Sequence, residues 1–315
     1  MNKFHKSINW IIFDVVLVVL ATISHLILQL FLIDGLKYSL FDSLLLVATI
    51  FLIVKMHCFY CELKNNSDAF YFHLYGDENA LKNRENDVAK IFHNGKLKWF
   101  GCIYGALVGV IMFFVNMNNL LFTPNLCLSG YLAFMNYFTG EAIAKLFQYF
   151  KTSKRWINNI SFSVPSYDNS EIAYIRKIRN KVLFIAIIYC FFSQMSIIFS
   201  PIHINLVVYL YTGCAVFLVL SIVIRSEVQI SNLRKRFFDN NMNKFNCKIS
   251  EFYSDIIAKD LSTNTDDMER LRILIELKEH FVTNYNAKFN INVFISAVGF
   301  IITAILPVLL QIFFL

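Results

Sequence analysis

Seven long apolar segments, separated by links of alternating length, constrain this chain of 315 residues more than any other feature. Each segment runs for about 20 residues without a charge cluster, which is enough for an α-helix to cross the ~30 Å hydrocarbon core of a bilayer. The predicted spans are residues 10–33, 38–54, 99–121, 126–150, 182–200, 202–224 and 289–315. With 57% apolar residues, the sequence predicts an all-α, polytopic membrane protein that forms a single domain over residues 1–315.

Positive charge is distributed very unevenly between the two kinds of link. Of the 29 Lys and Arg residues, only Lys37 lies in a short link between spans. Because positively charged loops stay in the cytosol during insertion, we expect the amino terminus to be cytosolic and the carboxy terminus extracellular. This multi-pass topology in the plasma membrane excludes a G-protein-coupled receptor, whose amino terminus faces outward. The net charge of +7 then reflects loops beside anionic lipid, so the expected partner is the bilayer and not nucleic acid.

The three long loops, residues 55–98, 149–181 and 225–288, are predicted to be helical and to form an anchor region next to the membrane. The sixth helix continues past the membrane without a breaker, and residues 264–269 carry the signals of a new helix start. An apolar stripe follows at helical spacing, formed by Leu271, Leu274, Leu277 and Phe281. This stripe needs a cover, either from the other loops of the same chain or from neighbouring subunits.

Few ionisable groups lie within the predicted spans, where they would be expected to mark chemistry or transport. Asp14 and Asp42 lie about one turn from a span end, and Glu141 can pair with Lys145 along one face of a helix. His25 near mid-depth is either a hydrogen-bonded packing histidine or part of a proton relay. The sequence contains none of the common catalytic or nucleotide-binding motifs, so we expect no catalytic residue, no metal, no cofactor and no enzymatic activity.

A cysteine pair lies at the cytosolic edge of the second span, where Cys58 and Cys61 follow His57. These residues could form a metal or redox site, but a closed zinc site needs four ligands and no second cysteine pair follows. Palmitoylation at the membrane edge is a second interpretation. Unmodified structural cysteines are the default.

The last span carries a stripe of small and polar residues within one arc of the helix. Its members are Asn292, Ser296, Gly299, Thr303, Pro307 and Gln311. Pro307 cannot donate a hydrogen bond to the carbonyl of Thr303, so the helix should bend there. Such a stripe suits a helix that lines a water-filled path, and it equally suits close packing between helices in a bilayer.

This last span and the topology resemble those of the insect chemoreceptors, the gustatory and odorant receptor superfamily with its gustatory-receptor-like members. The family signature in the last span is Thr-Tyr, five apolar residues and Gln-Phe. Here Thr303 and Gln311 are present, Ala304 stands in place of the Tyr, the spacing is one residue longer, and Ile312 stands where Phe is expected.

The resemblance implies a homo- or hetero-tetrameric, ligand-gated cation channel with the seventh helices around a central pore. Gln311 would lie in the pore and Val308 at an apolar constriction one turn earlier, with Thr303 and Pro307 on the same pore-lining face. A pocket for a small organic ligand would lie in the outer half of spans 2 to 6. Depth alone selects its candidate residues, which are Tyr38, Phe114, Tyr131, Phe134, Gln194 and Tyr209.

Two other functions are compatible with the sequence. The chain could be an accessory membrane protein that assembles without conducting ions. It could also be a membrane transporter or enzyme, in which case activity would depend on Glu141, Lys145 and His25.

Overall fold

A computed structural model describes residues 2–32, 39–117, 121–160, 170–198, 205–258 and 265–284, and all regular structure in these ranges is α-helical. The helices are α1 (Asn2–Leu32), α2 (Ser39–Asn65), α3 (Asp68–Tyr75), α4 (Asp77–Phe92), α5 (Gly95–Asn116), α6 (Phe122–Asn159), α7 (Ser170–Ile198), α8 (Asn205–Ala258) and α9 (Thr265–Asn284). The prediction of an all-α fold is confirmed for these residues.

Four stretches of the described residues are long and apolar enough to cross a membrane. They are Trp10–Phe31, Leu40–Asn65, Asn79–Asn116 and Ile172–Ser196. They correspond to the first, second, third and fifth predicted spans. The fourth predicted span lies in α6, and the sixth lies in α8 from Asn205 onward. The seventh, residues 289–315, lies outside the described residues.

The membrane-length helices run back and forth between two ends of a bundle. At one end, which we call the link end, α1 is followed by α2 and α5 by α6. At the other, which we call the loop end, α3 and α4 lie between α2 and α5, and α6 is followed by α7. Helix α3 turns into α4 at Gly76, whose φ of 74° is one that glycine adopts without strain. At the start of α5, the side chain of Asn94 accepts a hydrogen bond from the Lys96 amide at 3.1 Å and caps the helix.

The outward faces of the bundle are apolar, as expected for a surface in contact with lipid. On α5 the exposed face is a stripe of large side chains at helical spacing, made up of Trp99, Ile103, Leu107, Val110 and Phe114. The opposite face of α5 is buried and carries Gly101, Gly105 and Gly109. This is the reverse of a water-soluble helix, which turns its large apolar side chains inward.

The three glycines of α5 allow it to lie directly against the backbone of α6. A Cβ added to Gly101 would come within 2.8 Å of the Tyr137 carbonyl oxygen, and one added to Gly109 within 2.8 Å of the Ala133 Cβ. Gly140 of α6 packs in return against Tyr104. Small residues spaced four apart are a common means of close helix packing in bilayers, and α5 and α6 form the most extensive helix pair among the described residues.

We expect Gly105→Ala to lower the free energy of unfolding by about 1–3 kcal/mol, the usual cost of overpacking. The added Cβ meets the backbone carbonyl of Ala133, which cannot rotate away as a side chain could. Unfolding of the purified protein in detergent measures the change. Gly130→Ala on α6 is the matched control, because its added Cβ has no atom within 4 Å. Equal losses in the two variants would contradict the close contact.

The larger apolar core lies toward the loop end, where α2, α3, α4, α6 and α7 meet. At its centre is the carboxylate of Asp87 on α4, which is fully buried and paired with Arg155 of α6. Trp156 donates its indole N–H to Asp87 Oδ2 at 2.7 Å, and Tyr71 donates its hydroxyl to the same oxygen at 3.2 Å. Burial raises the pKa of Tyr71, so its hydroxyl keeps the proton that it donates. A buried carboxylate needs such partners, and these contacts join three loop-end helices.

Helix α8 is one continuous helix of 54 residues, about 80 Å long at 1.5 Å per residue. The prediction that the sixth helix runs on without a break is confirmed. Helix α9 packs against its distal part, where Phe281 stacks on Phe238 with ring centroids 5.5 Å apart and also contacts Phe237 and Phe245. Leu271 is buried as well, so part of the apolar stripe predicted on this helix is covered within the chain.

Candidate functional site

One face of α1 carries three polar residues in an otherwise apolar stretch. Thr22, His25 and Gln29 are spaced three and four residues apart, which keeps them on the same side of the helix. All three are buried, and the lipid-type outer face of α1 consists of large apolar side chains. Polar side chains inside a membrane normally face the interior of the bundle because lipid offers them no partner, so this face of α1 marks an interior contact.

The partner of this face on α2 is Asp42, whose side chain is fully buried. Gln29 Nε2 donates to Asp42 Oδ2 at 2.6 Å, and His25 Nδ1 lies 3.2 Å from the same oxygen. His25 Nδ1 and Gln29 Nε2 are themselves 3.0 Å apart. One carboxylate oxygen therefore joins α1 to α2 near the link end.

Tyr131 of α6 completes the group. Its ring stacks on the His25 imidazole with centroids 4.3 Å apart and planes 4° from parallel. The Thr22 hydroxyl donates to the Val18 carbonyl at 3.0 Å, so the hydrogen bond of 3.3 Å between the Thr22 and Tyr131 hydroxyls takes its proton from Tyr131. We call these five residues, Thr22, His25, Gln29, Asp42 and Tyr131, the Asp42 cluster.

The contacts of His25 are compatible with either imidazole tautomer. With its hydrogen on Nδ1, His25 donates to Asp42 Oδ2 beside the Gln29 amide. With its hydrogen on Nε2, Nδ1 accepts from the Gln29 amide. His25 has the hydrogen bonds and ring contact expected of a packing histidine.

Two acceptor atoms of the cluster are left over. Asp42 Oδ1 and Gln29 Oε1 are buried and have no hydrogen-bond partner among the described residues. A buried acceptor without a partner costs about 1–3 kcal/mol. A donor such as a hydroxyl group, an ammonium group or a water molecule would complement both atoms, so the cluster is best suited to bind a hydrogen-bond donor.

A second group of charges lies on α6, where the predicted pair of Glu141 and Lys145 is present with 2.7 Å between Oε1 and Nζ. Asp14 of α1 is close enough for its charge to interact with both members of this pair and with Lys98 of α5. Two positive and two negative groups therefore lie near one another between three helices. This arrangement is that of a structural ion-pair network.

The structure does not gather the predicted ligand residues into one pocket. Tyr131 belongs to the Asp42 cluster, and Phe134 packs beside the same apolar core with its ring 5.6 Å from that of Phe138. Phe114 is 66% exposed on the outer face of α5, and Gln194 is buried on α7. Tyr38 and the side chain of Tyr209 lie outside the described residues. So do the predicted pore residues Thr303, Pro307, Val308 and Gln311.

The cysteine pair at the end of α2, for which structural cysteines were the default interpretation, forms only a pairwise contact, with Cys61 Sγ 3.1 Å from His57 Nε2. Cys58 is exposed, and both cysteines are free thiols. Within the described part of the chain, no three potential metal-ligand side chains come together.

Sequence reasoning treated His25 and Asp42 separately and missed their contact. The spacing of Thr22, His25 and Gln29 was a readable signal that α1 has a polar inner face. Nothing in the sequence indicated which residue of another helix this face would meet.

The chain matches no protein-family profile, no curated protein and no solved structure. Its described fold and the geometry of the Asp42 cluster are therefore the grounds for a functional assignment.

A double-mutant cycle tests the Asp42 cluster. We expect Asp42→Ala to lower the free energy of unfolding by about 1–3 kcal/mol because it leaves buried donors unpaired. We expect the variant with both Asp42→Ala and His25→Ala to lose less free energy of unfolding than the two single variants do in sum. The difference should be about 0.5–3 kcal/mol, the range for residues in contact. Unfolding in detergent gives all four values.

The matched control pairs His25→Ala with Thr49→Ala on α2. The Thr49 hydroxyl is buried but donates to the Leu45 carbonyl of its own helix at 2.8 Å, and it lies about 10 Å along α2 from Asp42. The changes in free energy of unfolding for these two substitutions should be additive. If the changes for His25→Ala and Asp42→Ala are also additive, the cluster is not energetically coupled.

Proposed function

We propose that this chain is the subunit of a tetrameric, ligand-gated cation channel of the insect chemoreceptor type, in the plasma membrane. The observation that carries the proposal is an apolar surface left uncovered on the long extension formed by α8 and α9. The resemblance of the last span to the chemoreceptor signature supplies the functional class.

The proposed topology has seven spans, with the loop end of the bundle in the cytosol. Helix α6 is the fourth span, because its backbone lies against α5 through three glycines and must cross the bilayer with it. Its polar groups are satisfied internally, with Asn136 donating to the Leu132 carbonyl at 2.9 Å and Thr139 bonded to Tyr189 of α7. The first part of α8 and residues 289–315 supply the sixth and seventh spans.

Most of α8 and α9 lies outside the hydrocarbon in this topology. No charged residue occurs between positions 205 and 224, whereas charges recur from Arg225 onward, as in Arg234, Lys235, Arg236 and Asp239. Charged side chains at this density are not tolerated in lipid. The distal part of α8, with α9 packed against it, therefore projects from the bundle into water.

The projecting pair has more apolar surface than its own packing covers. Leu271 and Phe281 of α9 are buried against α8, but Met268, Ile275 and Val282 are exposed. These three are seven residues apart, so they form one stripe along the helix, which we call the α9 stripe. An apolar stripe in water needs a cover, and identical extensions around a symmetry axis would supply it. In this arrangement one part of the apolar surface of α9 is covered by α8 of the same chain and the other part by a neighbouring subunit, so both possibilities named from the sequence apply.

In this proposal the ions pass along the last span. The small and polar face of that span, with Thr303, Pro307 and Gln311, lines a water-filled path, and Val308 forms an apolar constriction that gates by dewetting. The Asp42 cluster, with its two open acceptors near the link end, is the place in this topology where a ligand with a hydrogen-bond donor could act on α1, α2 and α6 together. The other ligand residues predicted by depth remain predictions.

The assembly is tested by substitution of the α9 stripe. We expect Ile275→Ser with Val282→Ser to weaken each subunit contact by at least about tenfold, since burial of each such side chain is worth about 1.5–3 kcal/mol. The mass of the purified particle in detergent should fall from four copies toward one.

The matched control is Arg272→Ser with Glu276→Ser. It removes an exposed ion pair of the same helix, with 2.9 Å between Nε and Oε1, and leaves the net charge unchanged as the stripe variant does. This control should stay tetrameric. A wild-type particle with one copy would contradict the proposed assembly.

The pore is tested by currents recorded from cells that express the chain. We expect Gln311→Ala to change ion selectivity and Val308→Ala to raise the current by widening the constriction. Leu309→Ala is the control, because at 100° per residue Leu309 lies about 160° from Gln311 on the helix. If none of the three substitutions alters the current, the pore assignment is contradicted. If the protein forms tetramers but gives no current, a non-conducting subunit is favoured.

A further inference from the structure

A cleft of about 820 Å³ lies between α2 and α7 at the loop end of the bundle. Its walls are formed by one face of each helix. They include Lys55 and Glu62 of α2 and Lys177, Lys181, Phe184 and Ile185 of α7. None of these residues belongs to the Asp42 cluster or to the predicted pore.

The cleft is strongly positive. Its lining residues include four cationic side chains, Lys55, Arg176, Lys177 and Lys181, and one carboxylate, Glu62, so together they carry a net charge of +3 (four minus one). Glu62 Oε2 is 2.5 Å from Lys181 Nζ, and its Oε1 is 3.8 Å from Lys177 Nζ. Two lysines share the single charge of Glu62, so the lining stays positive and attracts anions.

The charge and the apolar surface of the cleft are separated along the bundle axis. On α7 the last charged residue is Lys181, and no charge follows between positions 182 and 198. On α2 no charge occurs between positions 43 and 54, and Lys55 comes next. The cations therefore lie where each helix leaves its apolar stretch. Phe184 and Ile185 continue the cleft on the apolar side, and Phe184 is exposed.

We propose that this cleft binds an anionic phospholipid of the cytosolic leaflet, with its phosphate groups among the lysines and its acyl chains against Phe184 and Ile185. A phosphorylated inositol headgroup carries several charges and acceptor oxygens that match a set of lysine and arginine donors. Basic pockets between membrane helices on the cytosolic side are where such headgroups bind. The apolar side of the cleft distinguishes a lipid from a soluble phosphate. The proposal rests on the proposed topology and not on conduction.

Glu62 limits the affinity of the site. It holds Lys181, and more weakly Lys177, in ion pairs that a phosphate must replace or share. Removal of its charge leaves both ammonium groups for the lipid and raises the net charge of the lining from +3 to +4. We expect Glu62→Gln to bind the anionic lipid more tightly than the wild type, which a misfolded variant would not do.

The test is native mass spectrometry of the purified chain in neutral detergent with short-chain probes. The probes are dioctanoyl phosphatidylinositol 4,5-bisphosphate, dioctanoyl phosphatidylcholine and soluble inositol 1,4,5-trisphosphate. We expect retention of the first well above the other two. Lys177→Gln with Lys181→Gln should reduce its affinity about fivefold for each lysine removed, since a basic side chain next to anionic lipid is worth about 1 kcal/mol.

The matched control is Lys244→Gln with Lys248→Gln, an exposed pair with the same spacing on the distal part of α8. It should bind the lipid as the wild type does. The proposal is overturned if the wild type shows no preference for the anionic lipid, if both double variants lose it equally, or if inositol trisphosphate binds as tightly. The same spectra report copy number, so a monomer that retains the lipid supports this site while contradicting the tetramer.

Discussion

A polar side chain that cannot reach water needs a hydrogen-bond partner within the protein, and where that partner lies on a neighbouring helix it decides how the two helices meet. On α2, Asp42 accepts a hydrogen bond from Gln29 of α1 and contacts His25 of the same helix. The Thr139 hydroxyl bonds to Tyr189 and joins α6 to α7. Asn125 at the start of α6 donates to the Phe113 carbonyl of α5 at 2.8 Å. Each contact fixes the register of one helix against another, which apolar packing alone would leave variable.

The buried carboxylates at the two ends of the bundle have different partners. At the link end Asp42 Oδ2 contacts Gln29 and His25, whereas Asp42 Oδ1 has no hydrogen-bond partner among the described residues. At the loop end Asp87 is paired with Arg155 and two aromatic donors within an apolar core. The cations of α2 and α7 exceed their carboxylate partner, so this end also presents a positive surface. A bilayer with anionic lipid on its cytosolic face would stabilise this arrangement.

Much of the helical layout could be predicted from the sequence, because segment length, hydrophobicity and breaker residues are local properties. The first, second, third and fifth spans, the continuous α8 and the pair of Glu141 with Lys145 were all predicted in this way. Depth selected both Phe114 and Tyr131 as ligand candidates. Depth does not tell on which side of its helix a residue lies, and the structure has Phe114 exposed and Tyr131 buried.

The sequence by itself determined that this is a helical chain with apolar segments long enough to cross a membrane, because length and hydrophobicity are properties of each segment separately. The tertiary structure alone decided that Asp42 meets His25 and Gln29, that Gly105 lies against the Ala133 carbonyl, and that Lys181 shares Glu62 with Lys177. Each of these contacts joins residues of different helices. Which residues meet depends on which helix faces pack together, and that is a property of the whole bundle.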